Sequence, residues 1–223
     1  VAMGRKLLAD PELPRKLAED RPADIRPCIY CYTCVAQIFF ERSLYCAINP
    51  ATGHEFEIDL APAARPRSVL VAGAGPAGME AARVAALRGH RVTLCEKEPQ
   101  VGGTAFFSAL VHEPNGRLVQ WQSGQLRKLG VDVRLQQSVT RELVLSLQPD
   151  VVIVDMESPD RDTLEAMSCI TRQRPCPTVM AVDRSDSESI RAAVQAGVSA
   201  YIVGGLSPER VRPVLEVAIA RFN

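Results

Sequence analysis

Short apolar runs alternate with longer segments of helical pattern from residue 68 to the end of the chain. Runs such as SVLVA and DVVIVD are almost continuously apolar, as expected for strands buried on both faces of a sheet. The pattern predicts strands at residues 68–72, 91–95, 131–135, 150–155, 178–182 and 200–203. It predicts helices at residues 76–88, 115–129, 139–147, 158–172, 187–196 and 207–222. The alternation favours an α/β fold in which helices cover both faces of a parallel sheet.

The first 67 residues lack this alternation. Residues 1–27 read as the end of a strand, a helix near residues 11–19, and a loop punctuated by Pro and Asp. Residues 28–60 hold four closely spaced cysteines and are too irregular to predict long elements. Residues 61–67, APAARPR, have the composition of a linker.

Composition excludes some classes of partner. Lys+Arg and Asp+Glu are equal at 26 each, so no overall basic field argues for nucleic acid. No apolar run reaches the length of a membrane span, and the start lacks the apolar core of a signal peptide. We therefore expect a cytoplasmic protein with reduced cysteines, of unknown oligomeric state.

The cysteines of the segment 28–46 carry the strongest chemical signal. Cys28, Cys31, Cys34 and Cys46 follow the spacing C-x2-C-x2-C-x11-C. Three thiolates within seven residues and a fourth from a following turn are typical of a [4Fe–4S] cluster. Zinc is the alternative, although structural zinc sites usually combine two separated pairs or cysteine with histidine. Disulfide formation or chance spacing stays open as a third explanation.

A glycine-rich turn follows the first predicted strand. Gly73, Gly75 and Gly78 have the spacing G-x-G-x-x-G and lie between a strand and a helix, as in dinucleotide-binding folds. Such glycines allow a tight turn, close approach of a pyrophosphate and close packing of the helix on the strand. Glu96 ends the second strand, where a carboxylate binds the ribose hydroxyls of an adenine nucleotide. A purely structural glycine turn is the alternative.

Three segments occur in the order found in one group of flavoenzymes. They are MGRKLLADPELPRKL, the cysteine segment with its trailing NPATGHE, and GAGPAGMEAARVAALRGHRVTLCEKEPQVGG. Over residues 1–150 the chain resembles the 2,4-dienoyl-CoA reductase and trimethylamine dehydrogenase group, relatives of old yellow enzyme. The resemblance implies that NAD(P)H reduces FAD, and that electrons pass through a [4Fe–4S] cluster to FMN, which reduces an unsaturated substrate.

The resemblance also assigns roles to residues. Cys28, Cys31, Cys34 and Cys46 would bind the cluster. The positions that would contact FAD, or ADP as in trimethylamine dehydrogenase, are Gly73, Gly75, Gly78 and Glu96, with Gly102 and Gly103 close by. Gly4 and Arg5 match a motif near the FMN phosphate. The chain departs from the group at Tyr30, where glycine is common, and in lacking most of the FMN barrel.

From residue 150 onward the chain resembles the second half of a receiver domain, as in nitrate-responsive antiterminators with an ANTAR domain. The matching segments are DVVIVDMESPDRDTLEAMSCITRQRPCPTVMAVDRSD and AGVSAYIVGGLSPERVRPVLEVAIARF. The resemblance makes Asp155 a candidate phosphoacceptor. However, the acidic pair after the first strand and the lysine after the fifth are absent, and phosphoryl transfer needs Mg²⁺ and a cation. Asp155 could equally be a strand-end residue that caps a loop.

Both halves fit one sheet. We expect a barrel remnant at residues 1–27, a [4Fe–4S] segment and linker at 28–67, a FAD- or ADP-binding half at 68–149, and a receiver-like half at 150–223. A doubly wound, Rossmann-like sheet ordered 3-2-1-4-5-6 accepts both halves. Asp155 would then lie beside the glycine loop and repel a pyrophosphate. The sequence favours an iron–sulfur flavoprotein oxidoreductase. A receiver-type signalling module, or a non-functional or designed chimera, is the alternative.

Overall fold

The computed structural model describes residues 3–58, 60–156, 163–165, 167–168, 172, 175–182 and 184–203. In this part of the chain six parallel strands form one sheet. Their bounds are β1 Ser68–Ala72, β2 Arg91–Cys95, β3 Asp132–Arg134, β4 Val151–Met156, β5 Thr178–Val182 and β6 Ala200–Val203. They lie in the order β3-β2-β1-β4-β5-β6, which confirms the predicted order. The predicted α/β class is therefore correct.

The described residues also form helices. They are α1 Gly4–Ala9, α2 Leu13–Ala18, α3 Thr33–Phe39, α4 Pro76–Leu87, α5 Gly103–Ser108, α6 Glu113–Lys128, α7 Arg141–Leu147 and α8 Ser187–Gln195. A short 3-10 turn covers Pro22–Asp24. No helix in these ranges is long and apolar enough to span a membrane.

The core of the sheet lies along its central strands, because these are covered on both faces. Leu70 of β1, Val152 and Val154 of β4, and Met180 of β5 each expose 1% of their surface or less. Full burial of a side chain of this size contributes about 1.5–3 kcal/mol. Register pairs Ala72 of β1 with Val154 of β4. The carboxyl ends of β1 and β4 therefore meet at the same edge of the sheet.

The strand predictions hold to within a residue at each end, but the first 60 residues differ from expectation. The predicted strand end at the start of the chain lies partly outside the described residues, and Gly4–Ala9 forms a helix. Helices α3 and α5 were not predicted. In the predicted helix 158–172 the described residues 163–165, 167–168 and 172 are helical. The predicted helix 207–222 lies outside the described residues.

Contacts divide the chain into two compact units. The first comprises Val1–Leu60 with Thr104–Gln125, and the second comprises Ala61–Gly103 with Leu126–Asn223. Trp121 of α6 shows how the first unit is joined, since its indole N–H donates to the carbonyl of Asp24 over 3.1 Å. His112 Nε2 lies 2.6 Å from the carbonyl oxygen of Ile29. Most of α6 therefore packs with the cysteine segment within this unit.

Candidate functional site

The glycine turn is formed where β1 passes into α4. Gly73 has a φ of +102°, which disfavours any residue with a side chain. A Cβ at Gly73 would lie 2.1 Å from the carbonyl oxygen of Asp155. A Cβ at Gly78 would lie 2.1 Å from the carbonyl oxygen of Gly73. Both glycines are therefore required by contacts within the protein, independently of any ligand.

Glu96 holds the glycine turn from the end of β2. Its side chain is buried, with 8% of the residue exposed. The amide of Ala74 donates to Glu96 Oε2 over 2.7 Å, and the amide of Glu98 donates to Oε1 over 3.0 Å. The position of Glu96 at this edge was predicted from the sequence, but these bonds were not. Each carboxylate oxygen accepts one backbone bond and keeps a second lone pair, so the group could also accept from a ribose hydroxyl.

Gly102 and Gly103 close the turn from the other side. The amide of Gly102 donates to the carbonyl of Ala74 over 2.7 Å. Both glycines have positive φ, +113° and +49°. A Cβ at Gly103 would lie 3.3 Å from the Cα of Gly75. The pair therefore lies directly against the loop that sequence analysis assigned to the dinucleotide.

Asp155 lies beside the glycine turn, as the strand order predicts. Its Oδ2 accepts a 2.8 Å hydrogen bond from the amide of Gly78. A Cβ at Gly75 or at Gly78 would lie 3.2 Å from the same oxygen. The carboxylate thus occupies the space that the glycines leave open. Sequence analysis placed Asp155 at this edge but did not predict its bond to the helix amide.

The cysteine segment turns sharply between its first three cysteines. Tyr30 and Tyr32 have left-handed backbones, with φ of +55° and +60°. A left-handed φ at Tyr30 explains in physical terms why glycine suits that position. Helix α3 begins immediately afterwards and buries Cys34, whereas Cys31 is exposed. The turn therefore brings three cysteines onto a short stretch of backbone.

The pKa of the Cys46 thiol is raised by its surroundings. Burial raises the pKa of Cys46, hydrogen bonds from the amides of Ile48 and Asn49 oppose that shift, and the charges of Cys31 and Cys28 raise it further. The amide of Tyr30 also donates to Cys28 Sγ over 3.4 Å. The six described cysteines are free thiols. Within the described ranges no three His, Cys, Asp or Glu side chains are grouped to hold a metal ion.

A buried polar network joins the two ends of the cysteine segment. Arg26, two residues before Cys28, donates to the carbonyl of Ile48 over 2.6 Å and to Asn49 Oδ1 over 3.3 Å. The backbone amide of Arg26 donates to Asp10 Oδ2 over 2.7 Å. Its guanidinium also lies over the ring of Trp121. Arg26 therefore fixes the position of the backbone that follows Cys46 relative to the backbone that precedes Cys28.

Arg5 lies against the tyrosines that flank Cys31. Its guanidinium carbon is 5.2 Å from the ring centre of Tyr30 and 4.4 Å from that of Tyr32. A hydrogen bond with Tyr32 raises the pKa of Arg5, and burial opposes that shift. Gly4 precedes it in α1, and a Cβ added there would meet open space. The structure thus places the residue assigned to the FMN phosphate next to the cysteine turn.

Residues 68–163 match the FAD dependent oxidoreductase family. Over these residues the chain is similar to FAD-dependent oxidoreductases, and the matched segment contains the glycine turn, Glu96 and Asp155 described above. The match begins at the first residue of β1, so the described sheet edge lies within it.

Curated relatives extend the similarity beyond that segment. A cinnamate reductase of Clostridium sporogenes is 40% identical over 164 residues, which are 72% of this chain and 25% of the relative. A metal reductase of Desulforamulus reducens is 41% identical over 152 residues, 66% of this chain and 22% of the relative. The chain thus spans about a quarter of the length of these enzymes.

Solved structures support the same fold. The structure of a 2-naphthoyl-CoA reductase in complex with 2-naphthoyl-CoA matches with a TM-score of 0.65 and 23% identity. The match covers 90% of this chain and 38% of that one. Signal receiver domains match only weakly, with TM-scores of 0.36 to 0.38. The receiver resemblance of the second half therefore stays a sequence-based prediction.

Proposed function

We propose that this chain is the iron–sulfur and dinucleotide-binding module of an NAD(P)H-dependent flavin oxidoreductase. The observation that carries the proposal is a four-cysteine motif followed, in one chain, by a segment that matches the FAD dependent oxidoreductase family. Neither feature alone defines an electron-transfer module. Together they supply ligands for two redox groups within 223 residues.

FAD, or ADP in its place, would bind at the edge of the sheet formed by β1 and β2. The glycine turn lets a pyrophosphate approach the start of α4, where backbone amides and the helix dipole favour an anion. Glu96 would accept from the ribose hydroxyls through the lone pairs that Ala74 and Glu98 leave free. Gly102 and Gly103 would border the same nucleotide, because they lie against Ala74 and Gly75.

Cys28, Cys31, Cys34 and Cys46 would hold a [4Fe–4S] cluster as thiolates. The donor set suits this cluster, since it provides four cysteines and no histidine. Amides of Ile48 and Asn49 already donate to Cys46, and that of Tyr30 donates to Cys28. Such N–H bonds to sulfur favour the charged form and raise the potential of a bound cluster. When bound, FAD would exchange a hydride with NAD(P)H and the cluster would carry single electrons.

The complete reaction belongs to a longer protein in this proposal. Relatives four times as long are named as reductases, including a cinnamate reductase. An unsaturated small molecule is therefore the proposed substrate. The proposed electron acceptor is FMN, bound mainly by a barrel of which this chain holds only the remnant at residues 1–27. Arg5 and Gly4 would lie near the FMN phosphate, on the side of the cysteine turn.

Iron analysis tests the cluster directly. Protein purified without oxygen should be brown and contain about four irons per chain. Cys31→Ala should abolish this iron, because Cys31 is exposed and its loss removes a ligand without opening a core cavity. Cys176→Ala is the matched control, since it removes a buried thiol outside the motif and should retain the iron. Iron-free wild-type protein, or equal iron in both variants, would overturn the proposal.

A further inference from the structure

The start of α4 has few backbone amides to offer an anion. The first helical residue, Pro76, has no N–H. The amide of Met79 is already bonded within the helix, to the carbonyl of Gly75 over 2.9 Å. Of the free amides in the first turn, only those of Ala77 and Gly78 remain. Asp155 takes the Gly78 amide with a 2.8 Å hydrogen bond.

The position of the carboxylate matters as much as the bond. Oδ2 of Asp155 lies 3.2 Å from the sites that side chains would occupy at both Gly75 and Gly78. Gly75 is the glycine that lets a pyrophosphate approach the turn, and Gly78 supplies the amide that the carboxylate binds. A phosphate oxygen that bonded the Gly78 amide would have to occupy the same place. Two negative groups at that distance also repel each other strongly in a partly buried setting.

We infer that Asp155 is a specificity-determining residue that competes with the pyrophosphate of FAD or ADP for the Gly78 amide. The inference rests on the proposed dinucleotide site. It follows that the domain binds the dinucleotide weakly, and that binding requires Asp155 to give up its bond to the helix. Asp155 does not compete with nucleosides that lack a phosphate, because these need only Glu96 and the neighbouring turn.

Asp155→Asn tests the effect of the negative charge alone, because asparagine has nearly the same shape as aspartate. Asparagine keeps an oxygen that can accept from Gly78 but removes the negative charge, so the fold is preserved. We expect D155N to lower the Kd for FAD and for ADP about tenfold or more, the scale of one hydrogen bond to a charged group. Asp155→Ala removes both charge and acceptor and should lower the Kd at least as far. Binding is measured by isothermal titration calorimetry, and circular dichroism verifies the fold.

Asp150→Asn is the matched control. It makes the same chemical change immediately before β4, at the end of the strand opposite to the glycine turn, where Asp150 accepts from the amide of Ser68. It should leave the Kd for FAD unchanged. The Kd for adenosine should be equal in wild type, D155N and D155A.

The outcomes distinguish the inference from the proposed function. If all variants bind FAD with the same Kd, the inference is overturned and the dinucleotide site stands. If no folded variant, including D155A, binds FAD or ADP at all, the dinucleotide site itself is wrong. If D150N lowers the Kd as much as D155N, net charge rather than the Gly78 bond is responsible, and the inference fails.

Discussion

Replacing Gly78 by alanine tests how tightly the glycine turn is packed. The new Cβ would lie 2.1 Å from the carbonyl oxygen of Gly73, far closer than an ordinary contact at 3.4 Å or more. Overpacking of this kind costs about 1–3 kcal/mol, and a clash with backbone belongs at the upper end. Alanine in a helix interior stabilises the folded state by about 1 kcal/mol relative to glycine. We therefore expect Gly78→Ala to lower the free energy of unfolding by about 2 kcal/mol.

Gly124→Ala provides the matched control. Gly124 also lies inside a helix, but apart from its own stretch of helix backbone no atom is within 4 Å of its added Cβ. The same propensity gain should therefore stabilise G124A by about 0.5–1 kcal/mol. Urea unfolding is followed by far-UV circular dichroism, and by fluorescence of Trp121, the only tryptophan. A G78A protein as stable as wild type would refute the packing described for the turn.

Three further predictions concern other parts of the chain. Arg26→Ala should lower the free energy of unfolding in urea by about 2 kcal/mol, because the carbonyl of Ile48 loses a buried charged donor. The variant should also bind less iron, and iron content and stability equal to those of wild type would contradict this. Burial lowers the pKa of His90, whose Nδ1 accepts from the amide of Arg67. The unfolded state then binds more protons, so stability should fall as pH drops below about 6.5. His90→Asn should flatten this dependence, and an unchanged slope would contradict it. Acetyl phosphate with Mg²⁺ should add no phosphoryl mass, because the Asp155 carboxylate accepts from the Gly78 amide and the glycine turn replaces the acidic pair that follows the first strand of receivers. A mass gain at Asp155 would favour the signalling alternative.

The sheet was predictable because its central strands are almost continuous apolar runs. Two physical rules, right-handed crossover and burial of both faces, leave few orders for six such strands. The position of Asp155 beside Gly73 followed from that order alone. Glu96 was placed at the same edge by its position after β2.

Side-chain bonding at this edge was not predictable from spacing. Asp155 accepts from the amide of Gly78 and Glu96 from that of Ala74, both far away in sequence, and only the folded backbone shows that these amides are within reach. The first 60 residues were harder still. Helix α3 is short and begins after two left-handed tyrosines, so neither hydrophobic period nor capping residues marked it. Arg26 gave no sequence signal, since its partners Asp10 and Ile48 come from different segments.

Counting electrons tests the central claim most directly. Iron-loaded protein mixed with equimolar FAD is titrated with dithionite in the absence of oxygen. The same amount of FAD without protein is titrated in parallel. The account predicts that each chain takes up about one electron more than the FAD, because a [4Fe–4S] cluster accepts single electrons. Cys31→Ala should remove this extra electron. An electron count equal to that of FAD alone would contradict a redox-active cluster in this chain.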